Sequence, residues 1–272
     1  MGPLLWIGGV QQDGLFDLTG KVAIVTGGSR GLGRAISIGF AHYGASVVVA
    51  SRKEEACVAL AGEITAATGR EALGVGCHVG RWSDCDRLVD VAYDTFGRVD
   101  VLVNNAGMSP LYPSLSEVTE ELFDKVVAVN LKGAFRLSSL IGTRMAAGAG
   151  GSIINVSSVS AVQPAVTEIP YAAAKAGLDC LTLGLAKAFA PAVRVNTIMP
   201  GPFLTDISKA WDQEVFTEYA KGVIPLRRGG DPGEVVGAAL YLAGAASSYT
   251  TGTTIRIDGG ATLAGGIRTH AN

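Results

Sequence analysis

The chain has 272 residues, of which 48% are hydrophobic and 17% charged, and its formal net charge at neutral pH is −2. This length allows one large α/β domain, and the near-neutral charge favours neither nucleic acid nor an anionic membrane as a partner. No stretch reaches the roughly 20 apolar residues of a membrane span, and residues 1–10 lack the features of a signal peptide. We therefore expect a cytoplasmic protein with no nucleic-acid partner and no membrane partner.

The four cysteines, Cys57, Cys77, Cys85 and Cys180, form no Cys-x-x-Cys pair. Reduced thiols of a cytosolic protein are the expected interpretation for a chain of this size. A zinc site at Cys77, His78 and Cys85 is the alternative, because these residues lie close in sequence. Their spacing matches no standard ligand pattern, so we expect no metal site.

A strand, a glycine-rich turn, a helix and a second strand follow one another near the start of the chain. The apolar run at 21–26 predicts a buried parallel strand, 32–43 a helix and 45–51 the second strand. Between the first strand and the helix lies TGGSRGLG at 26–33. Glycines there let the backbone approach a pyrophosphate, which the amides of the helix N-terminus can bind. The spacing differs from Gly-x-Gly-x-x-Gly, so a tight turn without a ligand remains the alternative.

The same alternation of strands and helices continues to the end of the chain. The further strands are predicted at 72–79, 99–103, 152–157, 193–198 and 253–257, and the further helices at 53–68, 83–96, 120–147, 171–190 and 231–242. This pattern predicts an α/β fold, a Rossmann-type doubly wound sheet of seven parallel strands with helices on both faces. We expect residues 1–17 to be an N-terminal extension and residues 18–272 to be a single Rossmann-fold domain.

Tyr171 and Lys175 lie four residues apart, on the same face of a predicted helix. A neighbouring ammonium favours the phenolate and lowers the pKa of a tyrosine from about 10, which suits a general acid or base. The alternative is an ordinary pair on a solvated helix. Asn130 lies in the middle of a predicted helix and must find a partner if it is buried. Ser157 and Ser158 end a strand at the edge where such sheets bind ligands.

Four stretches stand in a recognisable order: TGGSRGLG at 26–33, NNAG at 104–107, Ser158 thirteen residues before Tyr171, and YAAAK at 171–175. Together they resemble the short-chain dehydrogenase/reductase family, from about residue 15 to residue 260. The resemblance implies an NAD(P)(H)-dependent oxidoreductase that interconverts a ketone or 3-oxoacyl carbonyl and a secondary alcohol. A nucleotide-sensing protein without catalysis, on the same fold, is the alternative.

The resemblance also implies a role for each member of a catalytic set. Asn130 would hold a proton-relay water, and Ser158 would hydrogen-bond the substrate oxygen. Tyr171 would donate or accept the proton, while Lys175 would lower the pKa of Tyr171 and bind the nicotinamide ribose. Ser157 is the rival for the serine, but it lies one residue too far from Tyr171.

The cofactor residues implied by the resemblance lie after successive strands. They are Gly27, Ser29, Arg30, Gly31, Leu32, Gly33, Ser51, Arg52, His78, Val79, Asn105, Ala106, Gly107, Tyr171, Lys175, Pro200, Gly201 and Thr205. His78 departs from the family pattern, in which an Asp commonly accepts from the adenine amino group. Either its neutral ring nitrogen or the backbone of Val79 would replace that carboxylate.

The end of the second strand indicates which cofactor is preferred. Ser51 stands where enzymes that prefer NAD usually carry an acidic residue, and Arg52 and Arg30 can pair with a 2′-phosphate. We therefore expect NADP(H) rather than NAD(H). The alternative is that Arg52 and Lys53 form a solvated start to the next helix.

The substrate is expected to be a small carbonyl or alcohol, and the resemblance implies a homotetramer or homodimer. The expected pocket wall is mostly apolar: Met108, Ser109, Pro164, Phe203, Ile207, Trp211 and Phe216. Such a wall favours a hydrophobic ketone, an alcohol or an acyl thioester over a bare sugar. The segment 206–221 lacks a clean helical period and is expected to close over the substrate, with a plain pair of surface helices as the alternative.

Overall fold

The computed structural model describes residues 14–205 and 213–263. Most of the expected N-terminal extension, residues 1–13, therefore lies outside the described residues. So does the first part of the expected closing segment, including Ile207 and Trp211.

Seven short strands form one parallel sheet, which confirms the predicted fold class. They are β1 (Val22–Thr26), β2 (Ser46–Ser51), β3 (Ala72–Gly76), β4 (Val101–Asn104), β5 (Gly151–Val156), β6 (Val193–Pro200) and β7 (Thr254–Ile257). Their order across the sheet is β3-β2-β1-β4-β5-β6-β7, and every neighbouring pair is parallel. The order reverses between β1 and β4, where folds of this kind open a crevice at the carboxyl ends of the strands.

Helices cover both faces of the sheet. They are α1 (Gly31–His42), α2 (Glu54–Thr68), α3 (Trp82–Phe96), α4 (Glu120–Val127), α5 (Gly133–Ala146), α6 (Ile169–Phe189), α7 (Gln213–Val223) and α8 (Val236–Ala243). Successive residues of each strand enter opposite layers: Val25 packs in the core with α1, α2 and α8, and Ile24 in the core with α3, α5 and α6. Two-sided burial explains why the central strands are continuous apolar runs.

Two of the differences between the predicted and the observed elements bear on the site. The strand expected at 72–79 ends at Gly76, so His78 and Val79 lie in the loop beyond β3. The single helix expected at 120–147 is divided into α4 and α5 by a π turn, Ala128–Lys132, whose only fully buried side chain is that of Asn130. Hydrophobic periodicity does not reveal a π turn, because one extra residue shifts the pattern only locally.

The described residues before β1 are tied to the rest of the fold. Leu18 is buried, and its amide donates to the carbonyl of Tyr43 at 2.7 Å. The carbonyl of Leu15 accepts from the amide of Ala246 at 3.1 Å. Residues 14–18 therefore contact the fold directly. None of the described helices is long and apolar enough to cross a membrane.

Candidate active site

A cavity of about 600 Å³ lies at the carboxyl edge of the sheet. It is lined by the loops that follow β1 to β6 and by the start of α6, so residues far apart in sequence meet there. Of the predicted cofactor and catalytic residues, all line the cavity except Gly33 and Asn130. Two predicted wall residues, Pro164 and Phe216, do not line it. Residue type alone does not show where these two residues lie relative to the carboxyl ends of the strands.

The glycines after β1 serve two different purposes. Gly27 and Gly31 have φ angles of 61° and 53°, in the left-handed region that favours glycine. Gly33 is needed for close packing, because a Cβ atom there would meet the carbonyl oxygen of Gly27 and the side-chain nitrogen of Asn105. The loop after β1 therefore packs closely against the first residues of α1, and a group can approach the backbone of this loop.

The N-terminus of α1 points into this turn without a side-chain cap. Arg30 precedes the helix in an extended conformation and makes no side-chain capping bond. The first amides of a helix lack intrahelical partners and carry a partial positive charge, so they bind anions well. A glycine cradle with uncapped amides fits the pyrophosphate of a dinucleotide. Gly31, Leu32 and the backbone of the turn are the residues that would hold it.

Asn105 holds the glycine turn in place, a role that the sequence did not indicate. Its side-chain nitrogen donates to the carbonyls of Thr26 and Gly27 at 2.9 and 3.2 Å. The hydroxyl of Thr26 accepts from the amides of Asn105 and Ala106 at 3.0 and 3.1 Å. These bonds join the loops after β1 and β4, the two strands at the switch point of the sheet.

Two arginines lie at one end of the cavity. Arg30 and Arg52 are both exposed and both line it, and no described acidic side chain forms an ion pair with either. Each arginine directly follows a serine in sequence, and the hydroxyls of these two residues, Ser29 and Ser51, lie 2.9 Å apart. Among the described residues, neither guanidinium group at this end has an ion-pair partner, and the lining there adds two hydroxyls and no carboxylate. This donor set suits a phosphate.

His78 follows β3, and its hydrogen bonds define what its ring can offer. Nδ1 accepts from the amide of Gly80 at 3.2 Å, so in the neutral ring the proton is on Nε2. The backbone amide of His78 donates to Asp84 Oδ2 at 2.9 Å. We expected that a ring nitrogen of His78 could accept from the adenine amino group in place of an Asp. This conflicts with the bond from Gly80, which already occupies the accepting nitrogen. The backbone of Val79 is the alternative that the geometry leaves open.

Asn130 lies behind the cavity wall and is held by the π turn. Its side-chain nitrogen donates to the carbonyls of Met108 and Val126, both at 2.9 Å, and its oxygen accepts from the amide of Met108 at 3.1 Å. Both polar groups of the side chain are thus engaged with backbone. A water held by Asn130 would have to bind its main chain, and the side chain itself positions the loop after β4.

Ser158 begins a short chain of hydrogen bonds. Its hydroxyl donates to the hydroxyl of Ser160 at 3.1 Å, and Ser160 in turn donates to Glu168 Oε1 at 2.6 Å. The rival serine, Ser157, points elsewhere and donates to the carbonyl of Lys175 at 3.4 Å. No sequence motif singled out Ser160 or Glu168. The only sequence feature that could have indicated this hydrogen-bond chain is that Glu168 is an acidic residue three positions before Tyr171.

Tyr171 and Lys175 meet as the helical spacing predicts. The ammonium nitrogen of Lys175 lies 5.6 Å from the centre of the Tyr171 ring and donates to the carbonyl of Val156 at 2.6 Å. Burial lowers the pKa of Lys175 to about 8, although Asp179 opposes this shift. The lysine is therefore a buried cation held by one backbone carbonyl beside the phenol.

The pKa of Tyr171 shifts in the opposite direction to the one expected. Burial raises it to about 12, the hydrogen bond with Ser158 opposes this, and the charge of Glu168 adds to it. The net shift is therefore opposite to the expected lowering, and the contribution of Lys175 to this pKa stays a prediction. The sequence spacing shows that the two side chains are neighbours, but it does not show the cost of burying a phenolate.

The family is shown by comparison with known proteins. A family model described as Enoyl-(Acyl carrier protein) reductase matches residues 27–262. Dehydrogenase/reductase SDR family member 4 of Bos taurus is 39% identical over 249 residues, which cover 89% of this chain and 88% of that protein. L-rhamnose 1-dehydrogenase (NAD(P)(+)) of Azotobacter vinelandii is 39% identical over 250 residues, 89% of this chain and 97% of that protein.

Solved structures agree. The NADPH-dependent 3-quinuclidinone reductase of Rhodotorula rubra superposes with a TM-score of 0.88 at 29% identity, covering 96% of this chain and all of that one. Gluconate 5-dehydrogenase of Burkholderia cenocepacia, in complex with NADP and tartrate, superposes with a TM-score of 0.87 at 32% identity, covering 92% of this chain and 98% of that one. The chain belongs to the short-chain dehydrogenase/reductase family. It is an NAD(P)-dependent oxidoreductase that acts on alcohol and carbonyl groups.

Proposed function

We propose that Tyr171 is the proton donor when this enzyme reduces a carbonyl, with Ser158 and Lys175 beside it. The observation that carries the proposal is that these three side chains line one end of a single cavity whose glycine turn fits a dinucleotide. When bound, the nicotinamide would supply the hydride for the carbonyl carbon. Negative charge then develops on the carbonyl oxygen, where Tyr171 gives up its phenolic proton and the alcohol is formed.

Each neighbour of Tyr171 has a distinct task in this scheme. Ser158 hydrogen-bonds the substrate oxygen, which competes with Ser160 for the serine proton. Lys175 places positive charge beside the phenolate that remains after proton transfer, and it binds the nicotinamide ribose. Burial raises the pKa of Tyr171 to about 12, so the phenol carries the proton that it donates at neutral pH.

The preferred cofactor in this proposal is NADP(H). Arg30 and Arg52 line the cavity near Ser51, and a ribose 2′-phosphate would find two cations and no carboxylate among the described lining at that end. Relatives support this: one solved structure contains NADP and another is described as NADPH-dependent. The rhamnose dehydrogenase is described with NAD(P)(+), so the preference is a proposal about this chain.

A panel of carbonyl compounds with NADPH tests the proposed function. Oxidation of NADPH, followed at its nicotinamide absorbance, is expected with at least one hydrophobic ketone or acyl thioester, because much of the described lining of the cavity as a whole is apolar. NADPH binding without oxidation across the panel would favour the nucleotide-sensing alternative.

We also propose that the protein is a homotetramer or a homodimer. We propose in addition that it is cytoplasmic and that residues 18–272 form one domain. Exposed Leu183 and small residues such as Ala173 and Gly184 on α6 allow close helix contact across a symmetric interface. Light scattering at micromolar concentration should give two or four times the mass of 27.8 kDa. A mass of one chain would contradict this proposal.

Residues 206–221 remain the proposed closing segment. Only residues 213–221, in α7, are described, and they form a regular helix, so the plain-helix alternative fits that part.

A further inference from the structure

Glu168 lies at the catalytic end of the cavity, where the mechanism gives it no role. It directly precedes α6, its side chain is half-buried, and it lines the cavity together with Ser158 and Tyr171. Only its Oε1 is engaged in a side-chain hydrogen bond among the described residues, and the donor is Ser160. The carboxylate is thus fixed in position and can still contact a second group.

The charges that line the cavity are distributed unevenly. Arg30, Arg52 and Lys53 lie at the end assigned to the 2′-phosphate, whereas Glu168 is the sole carboxylate among the described lining residues. No described cation forms an ion pair with Glu168. Lys175, the cation beside Tyr171, donates instead to a backbone carbonyl. A substrate bound beside Tyr171 would therefore meet a carboxylate that has no ion-pair partner among the described residues, whereas the described lining of the cofactor end contains no carboxylate.

We propose that Glu168 is a specificity-determining residue that favours carbonyl substrates carrying a positively charged ammonium group and disfavours substrates carrying a carboxylate. This rests on the proposed function, since it assumes that the carbonyl binds beside Ser158 and Tyr171. A half-buried carboxylate interacts with a nearby charge more strongly than a solvated one does, because the effective dielectric constant is lower. Opposite charge on the substrate is attracted, and like charge is repelled.

Two ketones of matched shape isolate this effect. In 1,1-dimethyl-4-oxopiperidinium a quaternary nitrogen replaces the quaternary carbon of 4,4-dimethylcyclohexanone, so the pair differs in charge alone. Glu168→Gln removes the negative charge but keeps an oxygen that can accept from Ser160. We expect this variant to lower the ratio of kcat/KM for the cation to kcat/KM for the neutral ketone by about tenfold, which is 1.4 kcal/mol.

The anion 4-oxocyclohexanecarboxylate should show the reverse change, a gain of about tenfold relative to the neutral ketone. Glu117→Gln is the matched control, because Glu117 also accepts from a serine hydroxyl, that of Ser114 at 2.6 Å, but does not line the cavity. It should leave both ratios unchanged. A purely structural role for Glu168 would lower kcat/KM for all three ketones equally.

Calorimetric binding of the same ketones to the NADP+ complex, which cannot reduce them, separates this inference from the proposed function. If the neutral ketone is reduced and Glu168→Gln leaves the ratios unchanged, the inference is overturned and the proposed function stands. If no carbonyl is reduced, the proposed function fails, and the binding ratio still decides the role of Glu168. Failure of the cation to bind more tightly to the wild type than to Glu168→Gln would overturn the inference.

Discussion

The two ends of the cavity are built by different means. The nucleotide end, defined by the turn 27–33 with Ser51 and Arg52, consists mainly of backbone, and its key residues are glycines that allow close approach. The catalytic end, defined by Ser158, Tyr171 and Lys175, consists of side chains supported by hydrogen bonds. Adding a side-chain atom to a glycine of the nucleotide end should therefore weaken cofactor binding. Removing a functional atom from a side chain of the catalytic end should lower activity without disturbing the fold.

The largest effect is expected at the catalytic end. Tyr171→Phe removes only the phenolic oxygen, so reductase kcat/KM should fall by a factor of about 10² or more, as for loss of a general acid. The measurement is steady-state NADPH oxidation with the best ketone of the panel, together with the melting temperature as a check on folding. Turnover near that of the wild type would rule out Tyr171 as the proton donor.

The next effect is expected from an added methyl group at the nucleotide end. Gly33→Ala would place a Cβ atom against the Gly27 carbonyl, so the turn must shift and the Kd for NADPH should rise about tenfold or more. Gly62→Ala is the control, since Gly62 is exposed on α2 and no described atom lies within 4 Å of the place its new methyl group would take. Helix propensity predicts that this control is stabilised by about 1 kcal/mol. Equal NADPH affinity in both variants would contradict the assignment of the turn.

A smaller and more selective effect is expected at Arg52. Loss of one charged hydrogen bond, worth roughly 1.5–3 kcal/mol, should lower kcat/KM for NADPH about tenfold or more in Arg52→Ala and leave kcat/KM for NADH unchanged. Arg70→Ala removes an exposed arginine that does not line this cavity and should change neither value. A wild type that uses NADH and NADPH equally well would show that Arg52 does not recognise the 2′-phosphate.

The smallest effect is a pH dependence of stability caused by the buried lysine. The pKa of Lys175 falls from 10.5 to about 8 on folding, so between these values the unfolded chain binds more protons. Its contribution to the free energy of unfolding therefore rises with pH, by about 1 kcal/mol between pH 8 and 9. Denaturant titrations of wild type and Lys175→Met should show this rise only in the wild type. Parallel profiles would contradict the shift.

The sequence predicted one end of the cavity better than the other. Strand periodicity and glycine spacing specify the nucleotide end, because backbone requirements are visible in residue type, and seven strands were correctly expected. The supports of the catalytic end depend on contacts between distant segments. The π turn at Asn130 and the bond from Ser160 to Glu168 have no periodic signal. At the nucleotide end, the bonds from Asn105 to the glycine turn have none either. Burial, rather than spacing, decides the direction of the Tyr171 pKa shift.

The central claim is that most of the free energy of NADPH binding comes from the nucleotide end, while proton transfer takes place at the catalytic end. It is tested most directly by the Kd for NADPH of Tyr171→Phe. Fluorescence titration of the nicotinamide gives this value without any substrate. If NADPH is held mainly by the turn 27–33 and the arginines, its Kd should stay within about twofold of the wild-type value. A Kd raised by about tenfold or more would contradict it.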